Sequence, residues 1–374
     1  MKKIGIITFH RSYNYGAVLQ TYALQNFILS LGYDSEVIDY KNSMLRRYHR
    51  SVFRNMLSYF WNRIGKRSLV GNSRQIKTDN FIASHVWVAK TKYTDSSVLH
   101  RNPPQYDAYV TGSDQVWNPN ITGGDSSYFL TFVPKNKLKI SYAASFGVTI
   151  LNDEYKKKYL DYLQGIDIIS VREYEGKAIV NDLIRKDVQV TVDPTLLLEK
   201  QDWEKIAILY NNKKPYVLCY HMPGDKIVNR AIILLARKIA RINNWEIISI
   251  GQKEYMRLLP GNKKIFNAGP DEFVGLIRNA AFVITNSFHG TVFSIIYNKP
   301  FYIPINYNLP VEQVLSSRIT SLLKMLNIEN RLVPADLRFD ELNIEEIEYG
   351  KVNVLLRKAR EESRRFLIDA LREC

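Results

Sequence analysis

The sequence predicts an α/β protein that consists of two Rossmann-like domains and a helical tail. Short apolar runs, typical of buried strands, alternate with segments of helical periodicity from residue 4 to residue 194. The polar stretch at 211–215 interrupts this alternation, which then restarts. Beyond about Ile344 the apolar residues recur at helical spacing among many arginines. We therefore expect an N-terminal domain at 1–210, a C-terminal domain at 215–335 and a helical tail at 336–374.

The N-terminal domain begins with a predicted strand at 4–9 and a helix at 16–31. This helix ends at Gly32, a residue type that readily adopts the left-handed conformation after a helix. Helical spacing predicts another helix at 152–163 and one that starts near Arg172. Further strands are expected at 35–40, 108–111, 140–144, 166–170 and 188–192. Because helices separate the strands, a parallel sheet with right-handed crossovers is expected.

The C-terminal domain repeats this pattern. Predicted strands lie at 216–221, 246–250, 281–284 and 300–303. Predicted helices lie at 227–242, at 270–279, from about Gly290 and at 311–326. Two such domains and a terminal helix that can pack back onto the first suggest a glycosyltransferase-B-like architecture. A ligand is then expected in the cleft between the domains, at the carboxyl ends of the strands.

Composition indicates a soluble globular protein rather than a membrane-spanning or disulfide-bonded protein. The 374 residues are 46% hydrophobic and 24% charged, and no run of about 18 apolar residues occurs. Two cysteines, Cys219 and Cys374, match neither a disulfide framework nor a metal cluster. We therefore expect a cytoplasmic protein without a structural metal.

The net charge of +15 is concentrated in a basic segment at 41–77. That segment contains ten Lys or Arg residues and no Asp or Glu, and aromatic residues such as Trp61 lie between them. It could bind an anionic membrane surface, so that the protein would lie peripherally on the inner face. It could equally be a solvated pair of basic helices. Nucleic acid is not expected, since no recognised nucleic-acid-binding motif is present.

The most informative segment is the predicted strand-to-helix turn at 282–297. His289 and Gly290 lie where the helix would begin, and the first N–H groups of a helix favour an anion. Gly290 would allow close approach of a ligand, and His289 would supply a titratable group. A surface histidine that caps a helix is the alternative interpretation.

A second candidate segment follows the first predicted strand. Asn14 can cap the following helix, and Gly16 permits a phosphate or a sugar hydroxyl to approach the backbone. An ordinary strand-to-helix turn explains both residues equally well. The three-glycine fingerprint of dinucleotide-binding proteins is missing, so NAD is not expected.

A third candidate segment follows the predicted strand at 108–111. Asp114 and Gln115 can form hydrogen bonds with sugar hydroxyls, and Trp117 can stack on the apolar face of a sugar. Asp114 could also act as a base towards a hydroxyl. The alternative is a polar turn above a buried tryptophan.

Two arginines are candidate anion ligands. Arg172 ends a predicted strand, and Arg318 lies in a comparable position in the C-terminal domain. A guanidinium group binds phosphate or carboxylate through two parallel hydrogen bonds. A surface ion pair, such as one between Arg172 and Glu173, explains each arginine as well.

Taken together, these segments resemble the polysaccharide pyruvyltransferase family. The resemblance spans roughly residues 1–330 in the right order and covers neither the basic segment nor the tail. Its carrying motifs are NYGAVLQ at 14–20, GSDQVW at 112–117, SVRE at 170–173, VDP at 192–194, TNSFHG at 285–290 and SRI at 317–319.

The resemblance implies transfer of pyruvate from phosphoenolpyruvate, the donor substrate, to a sugar of a cell-surface polysaccharide precursor. The products are a cyclic pyruvate ketal and phosphate, the acceptor is often a lipid-linked oligosaccharide, and no cofactor is needed. A glycosyltransferase-B-like fold is also implied.

On this basis each candidate residue receives a hypothetical role. His289 is the general acid and base, Asp114 activates an acceptor hydroxyl, and Arg172 and Arg318 neutralise the donor. The donor phosphate is held by the segment Asn286, Ser287, Gly290 and Thr291. The acceptor pocket is shaped by Asn14, Gly16, Gln115 and Trp117.

Two other functions remain open from the sequence. A glycosyltransferase that uses a nucleotide sugar could have the same two-domain fold, with His289 near the diphosphate. A basic scaffold without catalytic activity would bind neither donor.

Overall fold

The structure, a computed structural model, describes residues 1–42, 69–222, 225–251, 263–308, 317–336 and 345–374. The chain forms two compact units. The first comprises 1–69, 82–197 and 360–374, and the second comprises 70–81 and 198–359. The boundary between the units thus lies at residue 197, whereas the sequence predicted a boundary at 210. The first part of the tail, up to residue 359, belongs to the second unit, and residues 360–374 belong to the first. Most of the basic segment at 41–77 lies outside the described residues.

The first unit is built on a sheet of seven parallel strands in the order β3-β2-β1-β4-β5-β6-β7. These strands are β1 (Lys3–Ile7), β2 (Asp34–Tyr40), β3 (Val88–Tyr93), β4 (Ala108–Thr111), β5 (Leu138–Ala144), β6 (Ile168–Val171) and β7 (Gln189–Val190). All six strands expected from the sequence are present, and β3 was not predicted. Its sequence VAKTKY contains two lysines and lacks the apolar run of a central strand, which suits its place at the sheet edge.

Helices connect these parallel strands. They are α1 (Tyr15–Ser30), α2 (Leu69–His85), α3 (Ser96–Arg101), α4 (Pro119–Thr122), α5 (Asp153–Gln164) and α6 (Tyr174–Ile184), with 3₁₀ turns at Ser126–Phe129 and Pro194–Leu196. Asn14 caps α1 as expected, because its side chain accepts a hydrogen bond from Gly16 N. Part of α2 is attached to the second unit, where Lys77 Nζ lies 2.6 Å from Glu272 Oε1.

Aromatic side chains fill much of the core of the first unit. Trp117, Phe129, Phe146 and Tyr159 pack against one another, with ring centroids 4.6–6.1 Å apart. Such rings bury large apolar areas, so this cluster fixes the segments that follow β4 and β5.

The second unit is built on six parallel strands in the order β10-β9-β8-β11-β12-β13. Its strands are β8 (Tyr216–Tyr220), β9 (Glu246–Ile250), β10 (Lys263–Ile265), β11 (Phe282–Thr285), β12 (Phe301–Ile305) and β13 (Leu332–Pro334). Its helices are α7 (Lys200–Glu204), α8 (Lys226–Asn243), α9 (Pro270–Asn279), α10 (Phe288–Ile296) and α11 (Ser317–Met325), with a 3₁₀ turn at Glu329–Arg331. For the helix expected at 311–326, residues 311–316 lie outside the described part of the chain.

The tail forms the long helix α12 (Tyr349–Arg372), as the spacing of its apolar residues predicts. Its C-terminal half packs on the first unit. Arg360 Nε donates to Leu196 O at 2.6 Å, and Val192 N donates to Ser363 Oγ at 3.0 Å. The predicted return of the tail onto the first unit is therefore confirmed.

The strand order changes direction once in each sheet. In the first unit this occurs between β1 and β4, and in the second between β8 and β11. In open parallel sheets the crevice at the carboxyl ends of such strands is the usual ligand site. The loops that leave these four strands are therefore where function is expected.

Candidate functional site

In the first unit, the segment after β4 is a sharp turn held against β1 and α1. Gly112 has a φ of 106°, and a Cβ at this position would collide with the carbonyl oxygen of Tyr142, so a glycine is required. Ser113 N donates to Gln20 Oε1, and Thr8 Oγ1 donates to Ser113 O, both at 3.1 Å. The turn therefore lies at the change of direction between β1 and β4.

This turn presents Asp114 in the left-handed conformation, with a φ of 67°. Its Oδ1 accepts a hydrogen bond from Gln115 N at 2.9 Å. Gln115 is partly exposed, and its Oε1 accepts a hydrogen bond from Asn118 Nδ2 at 2.8 Å. Asp114 and Gln115 thus lie side by side on this turn, each in a hydrogen bond within the turn or its following segment.

Arg172 lies inside the first unit between two carboxylates. It is 4% exposed, Nη1 donates to Asp193 Oδ2 at 2.6 Å and Nη2 to Asp114 Oδ1 at 3.5 Å. Burial opposes the charge on Arg172, but Asp193 and Asp114 outweigh it and raise its pKa above the usual value. Arg172 is thus positioned to orient Asp114, and its expected contact with the donor stays a prediction.

Glu173 is also buried, so the surface ion pair considered for Arg172 and Glu173 is not what the structure contains. Glu173 Oε1 accepts hydrogen bonds from Ser145 Oγ at 2.9 Å and Phe146 N at 2.8 Å. This carboxylate fixes the segment after β5. The partners are 27 or 28 residues apart in sequence, and no local pattern reveals them.

Trp117 belongs to the aromatic core. It is 0% exposed, stacks on Phe129 with centroids 5.1 Å apart, and donates from Nε1 to Tyr128 O at 3.0 Å. No face of the indole is accessible to a sugar ring. The predicted stacking role is therefore replaced by a role in packing beneath Asp114 and Gln115.

A further polar cluster at the ends of β1 and β2 was not identified from the sequence. Arg11 Nε and Nη2 both donate to the Asp39 carboxylate at 2.6 Å, and His10 Nε2 lies 3.2 Å from Asp39 Oδ1. Burial would raise the pKa of Asp39, but hydrogen bonds from His10 and Arg11 hold it well below its usual range. The available signal was an aspartate between the apolar residues Ile38 and Tyr40 at the end of a predicted strand, because a buried carboxylate requires partners.

In the second unit, α10 begins directly after β11, as predicted. Ser287 caps this helix, since its Oγ accepts from Gly290 N at 3.4 Å and its carbonyl accepts from Thr291 N at 3.0 Å. The N–H groups of Gly290 and Thr291, expected to hold a phosphate, are thus used within the helix. An anion would instead approach the preceding residues of this helix start, Phe288 and His289.

Gly290 serves close packing of the helix rather than approach of a ligand. A Cβ on Gly290 would lie 2.5 Å from Thr285 Oγ1 and 3.0 Å from a ring carbon of Tyr220. The glycine therefore lets α10 rest directly on β11 and β8, which fixes the position of its N-terminus.

Asn286 joins the loops that leave β8 and β11. Its Oδ1 accepts from Met222 N at 2.7 Å, and its Nδ2 donates to Met222 O at 3.0 Å. The neighbouring His221, not identified from the sequence, is bonded to Asn229, and burial lowers its pKa. Both residues lie where the strand order of this sheet changes direction.

His289 and Arg318 both contact Phe288, the first residue of α10. The buried ring of His289 packs edge-on against Phe288 with centroids 5.0 Å apart. The guanidinium carbon of the partly exposed Arg318 lies 5.8 Å from the centre of the same Phe288 ring. The start of α10 thus has an imidazole and a guanidinium group that each contact the Phe288 ring.

Comparison with known proteins identifies the family and the fold. A family model described as polysaccharide pyruvyl transferase matches residues 14–308. The structure of UDP-GlcNAc 2-epimerase from Methanocaldococcus jannaschii, in complex with UDP-GlcNAc and UDP, aligns over 100% of both chains, with 13% identity and a TM-score of 0.50. The S. aureus MnaA–UDP structure aligns over 98% of this chain and 90% of its own, with 9% identity and a TM-score of 0.51.

These likenesses agree with the two parallel sheets and the long terminal helix, so the fold is glycosyltransferase-B-like, as the sequence predicts. No curated protein matches the sequence. Among the helices that the structure describes, none combines the length and the apolar character needed to cross a bilayer.

Proposed function

This chain belongs to the polysaccharide pyruvyl transferase family, and on that premise we propose that it transfers pyruvate from phosphoenolpyruvate to a sugar. Family membership implies transferase activity. The acceptor is a sugar of a cell-surface polysaccharide precursor, of the lipid-linked oligosaccharide class. The products are a cyclic pyruvate ketal and phosphate.

The observation that supports this proposal is that His289 and Arg318 both contact the Phe288 ring at the start of α10. Phosphoenolpyruvate carries a phosphate and a carboxylate close together. A helix N-terminus favours one anionic group, and a guanidinium group can bind the other through two hydrogen bonds. Arg318 lies 5.8 Å from the Phe288 ring that His289 also contacts, and for this reason the donor is placed against this helix start.

The proposed reaction begins with protonation of the donor at C3. His289, in its protonated form, gives this proton, C2 becomes electrophilic, and a sugar hydroxyl adds to C2 as it loses its own proton. The C2–O bond to phosphate then breaks, and the electron pair leaves with the phosphate. A second hydroxyl of the same sugar adds to C2, and its proton balances the released phosphate. One methyl group is formed, and no redox step occurs.

In the first unit, Asp114 is proposed to accept the proton of the attacking hydroxyl. The buried Arg172 donates a hydrogen bond to Asp114 Oδ1 at 3.5 Å, which orients the carboxylate. The partly exposed Gln115, together with Asn14 and Gly16 at the start of α1, is proposed to bind the acceptor hydroxyls.

The test is a reaction in D₂O with phosphoenolpyruvate and a panel of sugar acceptors, followed by mass spectrometry and a phosphate assay. We expect one phosphate released for each ketal formed, and one deuterium in the new methyl group. For His289→Gln we expect turnover to fall by about 10²- to 10⁴-fold, as for the loss of a general acid. Turnover of a UDP-sugar without phosphoenolpyruvate would refute the proposal.

A further inference from the structure

Helix α8 of the second unit carries an unusual distribution of charge. Between Lys226 and Asn243 there are five Lys or Arg residues, no Asp or Glu and no aromatic residue. The acidic residue next to it, Asp225, caps the helix through Ile227 N and also accepts from Asn306 Nδ2. All charged side chains within the helix itself are therefore positive.

The cations share one exposed side of α8 with large apolar residues. We define the α8 face as Arg230, Arg237 and Arg241 with Ile227, Leu234 and Ile242. From Ile227 to Arg241 these residues are three or four positions apart, so they lie along one side of the helix, and Ile242 follows directly after Arg241. The opposite side, which includes Ile232, Leu235 and Ile239, is buried in the core of the unit.

The three apolar residues of the α8 face are exposed to solvent. Ile242 is 61% exposed, Ile227 44% and Leu234 39%. Single exposed apolar residues are common on protein surfaces. Here three of them are interspersed with arginines along one helix, which makes an amphipathic stripe.

The nearby edge of the sheet extends the positive charge. Helix α8 leads into β9, and the strands β8 and β10 begin at the same edge, where Lys213, Lys214, Lys263 and Lys264 lie. The carboxylate of Glu246 at this edge is paired with Lys263 at 3.0 Å. Glu246 thus offsets the charge of Lys263, and the other lysines add positive charge to this edge of the sheet.

We propose that the α8 face docks the protein on an anionic lipid surface, with the helix axis parallel to the membrane. Arginines that alternate with isoleucine and leucine fit phospholipid headgroups and the acyl boundary beneath them. A nucleic acid is a poorer fit because the face has no aromatic side chain on which bases could stack. This surface is separate from the basic segment at 41–77, and the inference does not depend on the proposed reaction.

The test is flotation of the full chain with vesicles at 0.15 M salt. We expect binding to vesicles that contain phosphatidylglycerol and not to vesicles of phosphatidylcholine alone. Each cation near an anionic surface contributes about 1 kcal/mol, so Arg230→Gln/Arg237→Gln should weaken partitioning by about 30-fold. Ile227→Ser/Leu234→Ser, which keeps the charge, should weaken it by about fivefold.

The matched control is Lys157→Gln/Lys158→Gln, which removes the same charge from exposed positions of α5 in the first unit. It should partition like the wild type, and all variants should keep the wild-type melting temperature because the substituted side chains are exposed. Equal binding of the wild type and the arginine variant would overturn the proposal. The membrane contact would then lie in another part of the chain, for example in the basic segment at 41–77. No binding of the wild type to anionic vesicles, or binding of RNA alone, would also overturn it.

Discussion

At the scale of residues, buried charged side chains hold the turn at Asp114 in the first unit. Arg172 bridges Asp193 and Asp114, and Asp39 is held by Arg11 and His10. Buried charges are tolerated only when they are paired and hydrogen-bonded, so removing one partner is costly. These pairs fix the positions of Asp114 and of the loop that follows β1.

The Asp39 carboxylate should therefore give a pH-dependent contribution to stability. Its folded pKa is depressed, so the contribution is present above the unfolded pKa of about 4 and is lost as the pH falls through the folded pKa. We expect Asp39→Asn to cost about 2 kcal/mol of unfolding free energy at pH 7. Urea unfolding between pH 3 and pH 7 should show this difference shrinking below about pH 4.

The control for this measurement is Asp187→Asn, since Asp187 forms an exposed ion pair with Lys177. That variant should change stability by less than about 0.5 kcal/mol at every pH. A difference between the wild type and Asp39→Asn that does not vary with pH would contradict the assigned role of Asp39.

Gly290 offers a test of how α10 is positioned. Gly290→Ala places a Cβ 2.5 Å from Thr285 Oγ1, so the helix must shift, and we expect a loss of about 1–3 kcal/mol in denaturant unfolding. Gly350→Ala on α12, where a Cβ meets no atom within 4 Å, should be neutral or stabilising by up to about 1 kcal/mol. Similar effects of both substitutions would show that Gly290 is not required for close packing.

At the scale of elements, helices and strands that have a clear local sequence pattern were predicted. Contacts between residues that are distant in the sequence were not. The strand at β11 and the helix after it were predicted because an apolar run ends at small polar residues. The short edge strands β3, β10 and β13 were missed because their residues lack a buried apolar run. The burial of Arg172 could not be predicted from the sequence, because its partner Asp114 is 58 residues away in the chain.

The tail helix α12 is expected to contribute to the stability of the first unit through specific hydrogen bonds. Arg360→Ala removes the bond from Nε to Leu196 O at 2.6 Å and leaves that carbonyl without its charged donor. We expect a loss of about 1.5–3 kcal/mol in denaturant unfolding. Arg357→Ala, at an exposed position of the same helix, should change stability by less than about 0.5 kcal/mol, and an equal loss would contradict the account.

At the scale of the whole molecule, each unit has its polar groups at the point where its own strand order changes direction. In the first unit these are the turn of Asp114 and the loop of His10, and in the second the loops of His221 and His289. This arrangement follows from two parallel sheets of the same type, which the alternating pattern of the sequence predicted. The chemistry depends on the side chains at those points and not on the fold, because one fold serves many reactions.

The most direct test of the central claim is a titration with phosphoenolpyruvate, read by thermal shift and calorimetry. The wild type should be stabilised saturably by phosphoenolpyruvate and not by UDP-sugars. Arg318→Met should raise the dissociation constant by about 10- to 100-fold, whereas Arg357→Met, at an exposed position of α12, should leave it unchanged. Stabilisation by a UDP-sugar and none by phosphoenolpyruvate at millimolar concentration would contradict the account.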